Sequence, residues 1–177
     1  AILTDGSSYP STGFPIYQKY DGADDGMATA SFAAGTLTNA MDCMIAVRRD
    51  SAASTILGLA AQAVDSLSYF GACIPDTDLS AKECGTPTVW VDGVQLSGGT
   101  AVTRGTLNTA MTVGGWHILE YRDLDLSAWT ALHFARAYTG FYFNGAQGGI
   151  LLFPGGNTAE RDKARAWLAA KVGVTLP

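Results

Sequence analysis

The sequence predicts an all-β fold, a two-sheet antiparallel sandwich closed by one C-terminal α-helix. Three observations predict it. Short apolar runs recur between Gly, Asp and Pro clusters, about ten strand-like segments in all, with no βαβ alternation, heptad or internal repeat. An Asp-Gly pair, Asp92-Gly93, joins two apolar runs, which is a strong short-range signal for a β-hairpin. The C-terminal segment changes texture and carries a capped helical pattern.

Residues 1–15 are polar and broken by Pro10 and Pro15, so they read as an irregular arm or edge; residues 16–177 read as one domain. Ile16 to Tyr20 alternates and predicts a strand, followed by the turn cluster Asp21 to Gly26. A second short strand covers Met27 to Phe32. Met41 to Arg49 is the clearest early strand, with Cys43, Ile45 and Val47 on one face and Met44, Ala46 and Arg48 on the other. Thr55 to Leu59 and Ser68 to Ile74 follow, and 75–87 is loop. A type I′ turn at Asp92-Gly93 sets the next register: Val91 faces Val94, Val89 faces Leu96, and Trp90 shares the other face with Gln95.

A Gly/Thr-rich loop leads to the strand Trp116 to Arg122. Shorter strands at Ala131 to Phe134, Phe141 to Gly145 and Gly148 to Phe153 complete the β-structure. The helix covers 158–172. Asn157 with Glu160 fits a capping box, Lys171 suits the last turn, and Gly173 sits where a left-handed residue ends the helix. Ala164, Trp167 and Leu168 share one face. That pattern predicts docking through Trp167 and Leu168, with Lys163 and Arg165 directed elsewhere and no polar group on the packed face.

Composition narrows the function classes. Of 177 residues, 47% are apolar and 15% charged, enough for a full core. The net charge of −5 and the lack of any basic run argue against nucleic acid as a partner. No apolar run approaches a membrane span, and the N-terminus shows no signal peptide. The chain also lacks an initiator Met, as a processed or excised chain would. Cys43, Cys73 and Cys84 have neither disulfide-framework nor zinc spacing and read as thiols made in a reducing compartment.

Several segments resemble those of one superfamily, in its order. Tyr20-Asp21-Gly22-Ala23-Asp24-Asp25 resembles the early F-D-G-x-D-D turn of concanavalin A-like, laminin-G-like jelly-roll domains. Val91-Asp92-Gly93-Val94 resembles their central hairpin, and Gly115-Trp116-His117-Ile118-Leu119 their W-H strand. Phe143-Asn144-Gly145 with Gly148 to Leu152 resembles an F-N-G strand pair, and Glu160-Arg161 through Gly173 the closing helix. Within that superfamily the chain is most similar to domains of bacteriophage and prophage virion proteins: tail fibres, tail tips and head-decoration proteins. The resemblance implies a non-catalytic virion domain, assembled in bacterial cytoplasm, that binds a host-surface glycan or a neighbouring virion protein. Two alternatives go with it: a glycoside hydrolase or polysaccharide lyase of the same fold, and a spacer or decoration module with no ligand. A homo-oligomer fits such proteins, although no heptad encodes one.

A retaining glycosidase needs two carboxylates about 5–5.5 Å apart. Glu120 has Asp123 and Asp125 three and five residues on, which regular strand geometry sends to the opposite face, while Arg122 is placed to pair with it. Glu120 therefore reads as part of a solvated strand end. A lyase wants a Tyr/His pair; His117 and Tyr121 share a face, and His133 is a further candidate, but a packed histidine is the simpler reading. The Asp21/Asp24/Asp25 and Asp123/Asp125 clusters do not match a D-x-D-x-D-G loop, so no cofactor is expected and Ca²⁺ is the less favoured reading. Ser97 to Thr100 lacks the context of a phosphate loop. For sugar binding, Trp90 and Trp129 are the stacking candidates, with Tyr138 and Tyr142 as further aromatics and Asp123, Asp125 and Asn144 as the polar groups beside them.

Overall fold

The structure, a computed structural model, describes residues 2–3, 17–23, 25–51, 56–60, 68–96, 101–138 and 141–177. The chain begins with β1 (Ile2–Leu3), β2 (Tyr17–Asp21), β3 (Met27–Ala28), β4 (Met41–Arg49) and β5 (Ile56–Ala60). Next come β6 (Tyr69–Ala72), β7 (Ala81–Lys82), β8 (Thr88–Val91), β9 (Val94–Gln95) and a short helix, α1 (Arg104–Ala110). It closes with β10 (Trp116–Leu124), β11 (His133–Phe134), β12 (Arg136–Tyr138), β13 (Phe141–Tyr142), β14 (Asn144–Pro154) and α2 (Thr158–Val172). Among the described residues the protein is mostly β, with two helices rather than one.

The main sheet runs β1-β2-β14-β4-β10-β8-β9, antiparallel throughout. The other strands form a smaller set of pairings around β5, antiparallel except for one parallel pair, Arg136 with Leu59. They lie against one face of the main sheet. Cys43, Ile45, Val47, Val89, Val91, Leu119 and Tyr121 on that inner face join Phe70, Trp129 and Phe143 in one buried cluster. Phe70 sits 5.2 Å from the Tyr121 ring and 5.8 Å from Trp129. Alternation along β4, and along β10 as far as Arg122, sends the even residues to the other face, where α2 lies. Met44, Ala46 and Ile118 are buried there against Leu168 and Ala169.

The hairpin has the predicted register, Trp90 with Gln95 and Val91 with Val94, and Asp92 and Gly93 take φ of 52° and 83°, as a type I′ turn requires. The α2 caps also form. The Asn157 side chain accepts from the Ala159 and Glu160 N–H groups, and Gly173 ends the helix at φ 75°. Two close approaches explain the glycines of β14. A Cβ on Gly145 would lie 2.1 Å from the Arg48 carbonyl oxygen. A bulge after Gln147 turns both Gly148 and Gly149 toward α2, where added Cβ atoms would meet Val172 at 2.5 Å and Leu168 at 3.1 Å.

Of the N-terminal segment, Ile2 and Leu3 pair with Gln18 and Tyr17 at the sheet edge; residues 4–16, like Thr55 and Ser97 to Thr100, lie outside the described residues. Two expectations are corrected. The Gly/Thr-rich loop contains α1, capped by the Thr103 hydroxyl and held at its other end by Arg49, which donates to the Asn108 and Met111 carbonyls. The α2 docking face is not apolar. Trp167 is 53% exposed, and the contact is made by Leu168 and Ala169 together with two inward arginines.

Those arginines meet carboxylates with no solvent exposure. Arg161 binds Asp42 through Nε and Nη2 (3.1 Å for the latter), and Arg165 binds both oxygens of Glu120. Each carboxylate holds its arginine's pKa above the usual value. Removing one partner strands a buried charge, so Glu120→Ala should cost about 3–5 kcal/mol of stability. Adding Arg165→Met should recover part of that loss. Urea unfolding of the single and double variants checks both outcomes.

Candidate functional site

Glu120 is not a solvated strand-end residue. Its Oε1 accepts from Arg165, and its Oε2 accepts from Arg122 Nη2 at 3.0 Å and Nε at 3.2 Å. The pairing with Arg122 foreseen from the sequence is present. Asp42, the other buried acid, accepts from Arg161 and from the Asp123 N–H at 3.2 Å. Both carboxylates are consumed in holding α2.

His117 is equally committed. Its Nδ1–H donates to Asp92 Oδ2 at 2.7 Å, and its Nε2 accepts from the Thr112 N–H at 3.0 Å. Both ring nitrogens are thus occupied. Asp92 Oδ1 also accepts from the Ile118 N–H at 2.7 Å, so the group ties the hairpin turn to β10. Tyr121 does lie on the same face, but fully buried; its hydroxyl accepts from the Gly71 N–H at 3.1 Å and bonds Ser80 Oγ at 3.0 Å. Burial raises its pKa, the opposite of what a base needs. His133 is half-buried in β11, between Ala28 and Ala60.

The proposed sugar-binding residues do not converge. Trp129 lies in the core at 2% exposure, so no ring face is left for a ligand. Trp90 is half-buried on the outer face, and the Arg122 guanidinium covers its ring at 3.9 Å. Asp125 accepts from Ser127 N–H and Oγ, which lowers its pKa and closes a turn. Asp123 is exposed, at φ 61°, 3.8 Å from Arg161. Tyr142 is half-buried in β13. The Asn144 side chain packs beside Gly22, two strands away from β10. Asp24 and the Tyr138 side chain lie outside the described residues. Among the described residues, no three His, Cys, Asp or Glu side chains are placed to hold a metal. Among the same described residues, no helix is long and apolar enough to cross a membrane.

Comparison with protein-family models, with curated proteins and with solved structures finds no match.

A different cluster does form on the outer face, at the end away from the Asp42 and Glu120 pairs. Tyr17 and Trp116 stand edge to face with centroids 5.7 Å apart, and the Arg48 guanidinium lies 5.8 Å and 5.6 Å from the two rings. Arg48 Nε donates to Asp50 at 2.9 Å, and Lys19 lies 3.9 Å from the same carboxylate. The sequence reading missed it. The available signal was the parity of Arg48 with Met44 and Ala46, but its ring partners come from β2 and β10 and depend on register. A hollow lined by Leu79, Ala81, Pro87 and Val89 carries no titratable group.

No disulfide joins the cysteines; all three are buried. Burial pushes the Cys43 thiol up strongly and the Cys84 thiol up to about 12. An unfolded thiol titrates near ~8.5, so this contribution is complete below that pH and is lost as pH rises toward the folded value. The urea midpoint should therefore fall above about pH 8.5. A thiol reagent at pH 8 should label none of the three cysteines in the folded protein and all three after unfolding.

Proposed function

We propose that this chain is a non-catalytic recognition domain of a bacteriophage virion protein, built as a concanavalin A-like jelly-roll sandwich, that binds a host-surface glycan. The observation that supports the non-catalytic part is the commitment of Glu120 and His117. Glu120 has both oxygens held by guanidinium groups, and His117 has both ring nitrogens bonded. A general acid or base needs an atom free to meet the substrate. A hydrolase or lyase would have to break the α2 docking or the hairpin brace to free one.

The fold and virion parts have two supports. The ordered run of resembling segments supports them, and so does an antiparallel sheet that carries its closing helix on the outer face. Glycan recognition is supported by the half-exposed Tyr17 and Trp116 rings with the Arg48 guanidinium beside both, a combination suited to ring stacking and to sugar hydroxyl or carboxylate groups. Fold alone does not fix the activity.

The test is a glycan array probed with the intact chain, run beside an assay for reducing-end release and for unsaturated uronate products. Binding without turnover is expected. Turnover that disappears in Glu120→Gln or His117→Gln would overturn the non-catalytic reading. Binding to virion proteins with no glycan bound would replace the glycan by a protein partner.

A further inference from the structure

The outer face of the main sheet is only partly covered. Lys19, Ala146, Arg48 and Trp116 stand in register on four successive strands, in one row across that face. Tyr17 precedes Lys19 by two residues and points the same way. The helix α2 ends at Val172, beside Gly148. Past that point the Lys19 side chain is 49% exposed and Arg48 25% exposed, while Ala146 between them is buried. Tyr17 and Trp116 are half-buried. Ala146 and Gly148 put little bulk between the strands there.

We propose that this open end is a binding site for acidic saccharides. Arg48 and Lys19 take the carboxylate, and Tyr17 and Trp116 pack on the sugar ring. The proposal rests on the recognition reading above and names its ligand class and residues. Charge supports it first: two cations meet one carboxylate, Asp50, on a chain whose net charge is −5. Asp50 occupies Arg48 Nε at 2.9 Å and Nη2 at 3.4 Å, which leaves Nη1 without a partner among the described residues. A guanidinium already oriented by one carboxylate and held beside two rings loses little freedom on meeting a second. The rings meet at 67°, so they form two walls rather than one stacked pair. A pyranose with a carboxylate presents an apolar ring face and an anion together, which matches walls and cations. A neutral sugar would use only the walls. A long polyanion such as nucleic acid would meet the acidic remainder of the surface.

The experiment is calorimetric titration of the intact chain with oligomers of galacturonate, glucuronate and N-acetylneuraminate, and with methyl-esterified oligogalacturonate. At least one acid should bind, and its ester should bind far more weakly. Lys19→Gln, Arg48→Gln and Trp116→Leu should each weaken binding by about tenfold or more, a change of ~1.4 kcal/mol. Lys163→Gln, which removes the same charge from an exposed site on α2, should leave affinity unchanged. Should Arg48→Gln fail to fold, the exposed Lys19→Gln decides. Equal affinity in Lys19→Gln, or equal binding of acid and ester, overturns the site. Binding of neutral glycans alone overturns the site but leaves the recognition reading standing. Absence of any glycan binding overturns both.

Discussion

The clamp of α2 on the sheet, through two arginine–carboxylate pairs, is the constraint on which the rest of the structure depends. Asp42 and Glu120 have no solvent exposure, so their charges were removed from water at a cost of several kcal/mol each. Only good geometry offsets that. The geometry comes from a match of repeats. Arg161 and Arg165 are four residues apart, about 6 Å along a helix. Glu120 stands opposite Met44, two residues beyond Asp42, and two strand residues span about 6.7 Å. One helical turn therefore carries an arginine from one acid to the other. A helix slid by a residue, or docked the other way round, would leave buried carboxylates unpaired. The pairs fix where the helix lies; Leu168 and Ala169 supply the apolar contact.

That placement divides the outer face, and the division can be followed along one strand. The even residues of β4 are Asp42, Met44, Ala46 and Arg48. The acid meets Arg161, the two apolar residues lie beneath Leu168 and Ala169, and the base stands beyond the helix end among the aromatic rings. The Gly148-Gly149 bulge makes the boundary. It lets the last turn of α2 settle against the strand, and the helix then stops. The same four residues thus set the docking, the core beneath the helix and the uncovered end.

The sequence showed some of this and concealed the rest for a definite reason. The β10 face pattern, the Asp92-Gly93 register and the α2 caps were legible because each follows from residues within a few positions of one another. The polarity of the α2 face was not. A charged residue on a helix is ordinarily sent to solvent, and Arg165 was so assigned. Its partner Glu120 lies 45 residues away, and the Arg161 partner Asp42 lies 119 residues away. Glu120 looked solvated for the same reason. The helix α1 was hidden because its stretch, Arg104 to Ala110, buries only Leu107 and shows no apolar period. It depends on Arg49, 59 residues earlier, to satisfy its last carbonyls. The aromatic cluster at the open end likewise exists only once β2, β14, β4 and β10 are in register.

Arg48 and Arg49 show how one short stretch serves both faces. Strand alternation sends them to opposite sides of the sheet. Arg49 is 3% exposed, and its guanidinium has no carboxylate partner among the described residues; its charge rests on the Asn108 and Met111 carbonyls at the negative end of α1 and on the Asn108 side chain. The Arg49 carbonyl in turn accepts from the Gly114 N–H at 2.7 Å. The end of β4 is therefore anchored from beneath. Arg48, one residue earlier, inherits a fixed backbone and points outward between Tyr17, Trp116 and Asp50. A guanidinium on a long side chain would otherwise lose considerable freedom on meeting an anion. Anchoring by its neighbour and orientation by Asp50 remove much of that cost before any ligand arrives, which is the condition for a shallow surface site to bind selectively.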